Sequence, residues 1–165
     1  MTKSSRQAAI EILSQWESSA KTIDQLQQEW LKKNQLSDQR DSQLLMAIIY
    51  GIIRKRSFID TCLAKFSKHP LRKMKPLTLA GLRVGLFQII SMDRVPDSAA
   101  VNETIKALKN LGQPKWLTGF VNAILRNIIR NKKKVTSIDY QKSLSEHIRL
   151  EHPEFLIKRW QDRYG

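Results

Sequence analysis

The chain has 165 residues, of which 29 are Lys or Arg and 15 are Asp or Glu, giving a formal net charge of +14. That length makes one ordinary domain with a real core, and a positive charge of that size points to polyanions, nucleic acid before anionic membranes. The single cysteine, Cys62, excludes an internal disulfide framework and leaves too few soft ligands for a structural zinc site, so no metal is expected.

Helical spacing begins at once. Ala9, Ile10, Leu13 and Trp16 share one face from Arg6 to Trp16, with Ser4 or Ser5 as N-cap. The stretch lacks the apolar core of a secretory signal, Glu11 falling where that core would lie, so a cytoplasmic location is expected. Thr22 starts a second helix through Ile23, Leu26, Trp30 and Leu31 to Asn34. Ser37 or Asp38 starts a third, with Leu44, Leu45, Ile48, Ile49 and Ile52 inward, which turns basic at YGIIRKR. A short helix with Ile59, Leu63 and Phe66 follows, and then the basic connector HPLRKMKP.

Next comes the helix around which the rest is expected to pack. From Pro76, suited to a first helical position, Leu79, Leu82, Leu86 and Ile90 recur with only Thr78, Arg83, Gln88 and Ser91 interrupting. Gly81 and Gly85 clear a stripe on which a neighbouring helix can lie close, despite a combined cost of about 2 kcal/mol against alanine. The same spacing marks membrane helix pairs. However, the run falls short of the roughly 20 apolar residues a span needs, and Arg83 sits near its middle. No membrane partner is expected.

A helix from Asp97 or Ser98 places Val101, Ile105 and Leu108 inward and ends at Gly112. The amphipathic helix from Pro114 to Arg130 follows, with Phe120, Ile124, Leu125 and Ile128 inward. Asn131 to Asp139 is read as a linker, and helical spacing resumes from Tyr140 through Leu144, Ile148 and Leu150, then Phe155, Leu156, Trp160 and Tyr164. No strand pattern is visible, so the fold class is all-α.

Catalytic constellations are scarce. His69, His147 and His152 lie in a connector and near the tail, and the last two are off a common helix face. Cys62 falls between Ile59 and Phe66, where a small apolar thiol fills core. Without strands there is no phosphate-cradling glycine loop, and no cofactor site is expected in the chain itself. Basic residues gather at Lys3 and Arg6, at Arg54 to Arg56, at Arg72 and Lys73 to Lys75, and from Arg126 through Arg130 to Lys134. If the fold joins even two of these clusters, a phosphate-binding face results, with Trp116 and Phe120 placed to stack on unpaired bases. Asn102, Glu103 and Asn122 interrupt apolar faces and are expected to bond one another or nearby backbone.

The ordered series of an Arg6-x-x-Ala9 helix start, YGIIRKRSFID, LRVGLFQII with MDRVPDSAAVNETI, and GFVNAILRN resembles the helical NusB family from about Arg6 to Arg130. It is most similar to the form of that fold at the N-terminus of the ribosomal RNA small-subunit methyltransferase B family. The resemblance implies a NusB-like RNA-binding bundle over residues 1–134 and a helical linker over 135–165, leading to a catalytic domain that these residues lack. That domain would supply the S-adenosylmethionine site and the cysteine that attacks C6 of cytosine to activate C5. It also implies that Arg6 and Phe120 lie at the RNA-binding face. The sequence expectation for RNA contacts is therefore Lys3, Arg6, Arg54, Arg56, Arg72, Lys73, Lys115, Phe120, Arg126 and Arg130, with 16S rRNA as partner. The dense arginine cluster that opens NusB is here reduced to Lys3 and Arg6. Two further readings are a stand-alone transcription antitermination factor and a protein-docking helical module.

Overall fold

Helix α5, Pro76–Ser91, is buried on every side: from Thr78 through Ile89 no residue is more than partly accessible, and Leu82, Val84 and Leu86 are wholly covered. The computed structural model describes residues 2–145 together with Ile148 and Asp162. Around α5 stand α1 (Ser5–Ser18), α3 (Gln39–Arg54), α4 (Arg56–Phe66), α6 (Asp97–Asn110) and α7 (Lys115–Arg130), while α2 (Ile23–Lys33) leans on α1. The short helices α8 (Lys132–Val135) and α9 (Ile138–Ser143) complete the described helical structure. This is an all-α bundle.

Local chemistry sets the boundaries. Ser4 and Thr22 each form a reciprocal capping box, with Gln7 and Gln25, and the Asp38 carboxylate accepts from the Asp41 amide. Gly112, at φ 74°, lets the chain leave α6. The two glycines of α5 receive two different helices. A Cβ at Gly81 would lie 3.1 Å from Leu108 Cδ1 of α6, and one at Gly85 only 2.5 Å from Leu125 Cδ1 of α7.

Three expectations are corrected. A two-residue parallel pair joins β1 (Thr2–Lys3) to β2 (Gln35–Leu36), too short to leave a period in the sequence. The segment read as a linker after Asn131 begins with α8 and α9. Val135 there is wholly buried, and Tyr140 lies against the core with the Lys65 ammonium 4.6 Å from its ring centroid. Asn102 is not in an apolar face: it is exposed and accepts from Arg126, at 3.3 Å. His147, His152, Leu150 and the expected tail positions Phe155, Leu156, Trp160 and Tyr164 lie outside the described residues.

The polar residues of α5 are tied down. Arg83, 2% exposed, reaches both carboxylates of its neighbours: Nε and Nη2 donate to Asp60 of α4 at 2.9 and 2.8 Å, and Nη1 donates to Glu17 of α1. Arg56 adds a second cation, 3.2 Å from Glu17 and 4.9 Å from the Trp16 ring centroid. Gln88, wholly buried, donates to the Val84 carbonyl and the Thr104 hydroxyl and accepts from Arg6 Nε at 2.9 Å. Three helices are thus keyed to one by hydrogen bonds that an apolar core cannot supply.

Cys62 is wholly buried, and burial pushes its thiol up to about 11, Lys65 offsetting only part of that. Near neutral pH almost no thiolate forms, so native protein should react slowly with an aromatic disulfide reagent and rapidly in denaturant. Fast labelling of folded protein would contradict this placement.

Candidate nucleic-acid interface

The basic residues sort by whether the fold already uses them. Lys3 pairs with Glu11 at 2.8 Å, and the other oxygen of that carboxylate accepts from Trp30 Nε1 at 2.6 Å. Arg56 is held by Glu17 and Trp16, Arg126 by Asn102, and Arg6 by Gln88. Burial lowers the Arg6 pKa, and Glu103 and Asp41 nearby oppose that shift. By contrast, Arg54, Arg72, Lys73, Lys115 and Arg130 are all exposed and have no ion-pair or hydrogen-bond partner for their side chains among the described residues. A cation without an internal carboxylate keeps its full attraction for an external phosphate.

Those unpaired cations lie in three places. Arg54 borders a groove of about 560 Å³ between α3 and the end of α5, with Tyr50, Phe87, Asp93 and Arg94 also in its wall. Arg130 ends α7, about 22 Å along the axis from Lys115 at 1.5 Å per residue. The third place gathers most. After α4 a turn of 3-10 helix, Leu71–Lys73, lays the basic connector against the starts of α5 and α7. A cavity of about 370 Å³ opens there, lined by His69, Lys73, Met74, Lys75, Thr78, Trp116, Leu117 and Phe120.

Two of the sequence candidates, Lys73 and Phe120, share this cavity, and Arg72 and Lys115 adjoin it in the chain. No carboxylate lines it among the described residues. Trp116 is 71% exposed, the most exposed large apolar side chain described, whereas Phe120 is half-buried against the core. A large aromatic left in water beside unpaired lysines is the pairing that single-stranded nucleic acid uses: cations for the backbone, a flat face for a base.

Thr78 went unrecognised as a site residue in the sequence, Lys75 read only as a member of the basic connector cluster, and His69 read as an ordinary connector histidine. The legible signal was the pair of proline-led helix starts, KMKP before α5 and QPKW before α7, each basic and neither with a side-chain cap. What joins them is the packing of α7 beside α5. Among the described residues no group of His, Cys, Asp or Glu could hold a metal, and no helix is long and apolar enough to cross a membrane.

The NusB family pattern matches residues 3–130. The probable ribosomal RNA small subunit methyltransferase B of Bacillus subtilis is 34% identical over 162 residues, which is 97% of this chain and 35% of that protein. The ribosomal RNA small subunit methyltransferase B of Vibrio vulnificus is 32% identical over 125 residues, 76% of this chain and 28% of that protein. The transcription antitermination protein NusB of Hahella chejuensis is 30% identical over 123 residues, 74% of this chain and 81% of that protein. The chain therefore spans about a third of the length of the methyltransferase relatives it matches.

Proposed function

Because the chain belongs to the NusB family, we propose that its bundle is the RNA-binding domain of a 16S rRNA cytosine-C5 methyltransferase, positioning rRNA for a catalytic domain outside these residues. The observation that carries the binding role is the cavity at the starts of α5 and α7, where unpaired lysines surround an exposed tryptophan. Lys73, Lys115 and Arg72 neutralise phosphates, Trp116 and Phe120 stack on unpaired bases, and Arg54 and Arg130 meet more distant parts of a long RNA. Lys3, Arg6, Arg56 and Arg126 add charge from positions where the fold also employs them. Their reach is short, since exposed charges are screened beyond about 8 Å at physiological salt. A cytoplasmic setting, where rRNA is modified, goes with this role.

The methyltransferase relatives imply S-adenosylmethionine in the full-length enzyme. The described residues do not fit that cofactor. Their only sheet is the two-residue pair of β1 and β2, without the strand, loop and helix that cradle such a molecule, so no step of methyl transfer is assigned to them. The methyltransferase setting is supported by the Bacillus subtilis match, which runs over 162 residues, well past the family pattern. A second reading, a stand-alone antitermination factor, is favoured by the coverage of 81% of the Hahella chejuensis protein.

Fluorescence anisotropy with single-stranded fragments of small-subunit rRNA tests the binding role. Weak binding at low salt is expected. No binding at low ionic strength would leave the docking of another protein as the function.

A further inference from the structure

The cavity holds more than lysines. Both α5 and α7 begin in its wall, both are 16 residues long, and neither has a side-chain cap. The N–H groups of Leu77 and Thr78 on α5, and of Lys115 and Trp116 on α7, have no backbone partner among the described residues. Each helix start therefore presents unsatisfied donors and the positive end of its macrodipole. A second observation is independent of the helix ends. Thr78 is only 6% exposed, it lines the cavity, and its hydroxyl has no hydrogen-bond partner among the described residues. Buried hydroxyls elsewhere in the bundle are satisfied, Thr104 by the Ala100 carbonyl and Thr118 by that of Lys115. The Thr78 hydroxyl therefore opens onto the cavity walled by Lys73, Lys75 and His69, where it is free to donate to a group from outside, and an anion accepts most strongly.

We propose that this cavity is a phosphate subsite, which takes the phosphate group of one nucleotide between the starts of α5 and α7. It is held by the Thr78 hydroxyl, the free amides and the ammonium groups of Lys73 and Lys75, with Trp116 offering its face to the adjoining base. The proposal rests on the RNA-binding reading and deepens it, by placing one phosphate at one set of donors instead of along a diffuse basic face. The phosphate can be an internal diester or a 5′-terminal monoester, both of which present the same anionic oxygens.

Inorganic phosphate is the probe for the subsite itself, titrated into the whole chain while amide resonances are followed by NMR. Saturable shifts are expected at Leu77, Thr78, Lys115 and Trp116. Thr78→Val should weaken them roughly tenfold, the loss that goes with one hydrogen bond to a charged group, while Thr78→Ser should retain them. Lys75→Gln, at an exposed position, should weaken them without affecting the melt, so the test survives if Thr78→Val fails to fold. Shifts spread over the surface without saturation, or unchanged in these variants, would overturn the subsite. The same oligonucleotide with and without a 5′-phosphate separates the two sources. Affinity that depends on the terminal phosphate assigns the monoester, and equal affinity with shifts at the same amides assigns the diester. RNA that binds without moving these amides overturns the subsite and leaves the RNA role standing. Saturable phosphate binding with no RNA affinity does the reverse.

Discussion

Asp60→Ala should destabilise the bundle by about 3 kcal/mol, more than Arg83→Met, although both break the same ion pair. The asymmetry comes from where each charge is left. Without Asp60, the Arg83 guanidinium stays in the middle of the bundle, 3% exposed, with Glu17 as its one remaining carboxylate. Without Arg83, the two carboxylates are left at 22% and 28% exposure, where water reaches them, and methionine fills the vacated volume. Urea unfolding at neutral pH measures both. The pH dependence follows from Glu17. Burial alone would raise its pKa, but the hydrogen bond and charge of Arg83, with Arg56 behind it, outweigh that and hold the carboxyl below its usual range. A carboxyl depressed in the folded state stabilises above its unfolded pKa of about 4.3, and that share is lost as pH falls through the lower folded value. The Arg83→Met variant should show a flatter acid limb than the parent. Equal losses at neutral pH, or parallel acid limbs, would mean that the ion pair does not hold the helices together.

Trp116→Ala should cost about 1 to 3 kcal/mol of RNA affinity, roughly 5- to 150-fold, and leave the melting temperature in place. Its ring is 71% exposed, so the core loses little. Phe120→Ala should lower both, since that ring is half-buried against the core as well as lining the cavity. Measuring anisotropy and thermal melts on the two variants separates a stacking residue from a packing one. A Trp116 variant with unchanged RNA affinity would remove the tryptophan from the interface.

The central helix was legible because burial on all sides leaves an apolar run that no tertiary detail can disguise, and the caps were legible at Thr22 and to within one residue at Ser4 and Asp38 because capping is local chemistry. Arg83 read only as an interruption. Its partners at Glu17 and Asp60 belong to two other helices, and no spacing rule links positions so far apart in sequence. Trp116 was legible as an aromatic able to stack, but its exposure was not, because only the orientation of α7 puts its ring in water. The same packing brings one basic cluster, in the HPLRKMKP connector, to the start of α7, where Phe120 lines the cavity and the lone Lys115 adjoins it. It also sends Arg130 to the far end of α7. Val135 went unread as core because one apolar residue after a run of lysines has no period to declare it.

The central claim is that unpaired cations at this cavity bind RNA phosphates. It is tested most directly by the affinity for a single-stranded small-subunit rRNA fragment at several salt concentrations, for the parent chain and a Lys73→Ala/Lys115→Ala variant. For the parent, log affinity should fall linearly with log salt, by about 0.7 for each phosphate neutralised on a single strand. Loss of two such contacts should flatten the slope by about 1.4, with little change in sequence preference. A salt-independent affinity, or a slope the double variant leaves unchanged, would contradict the claim.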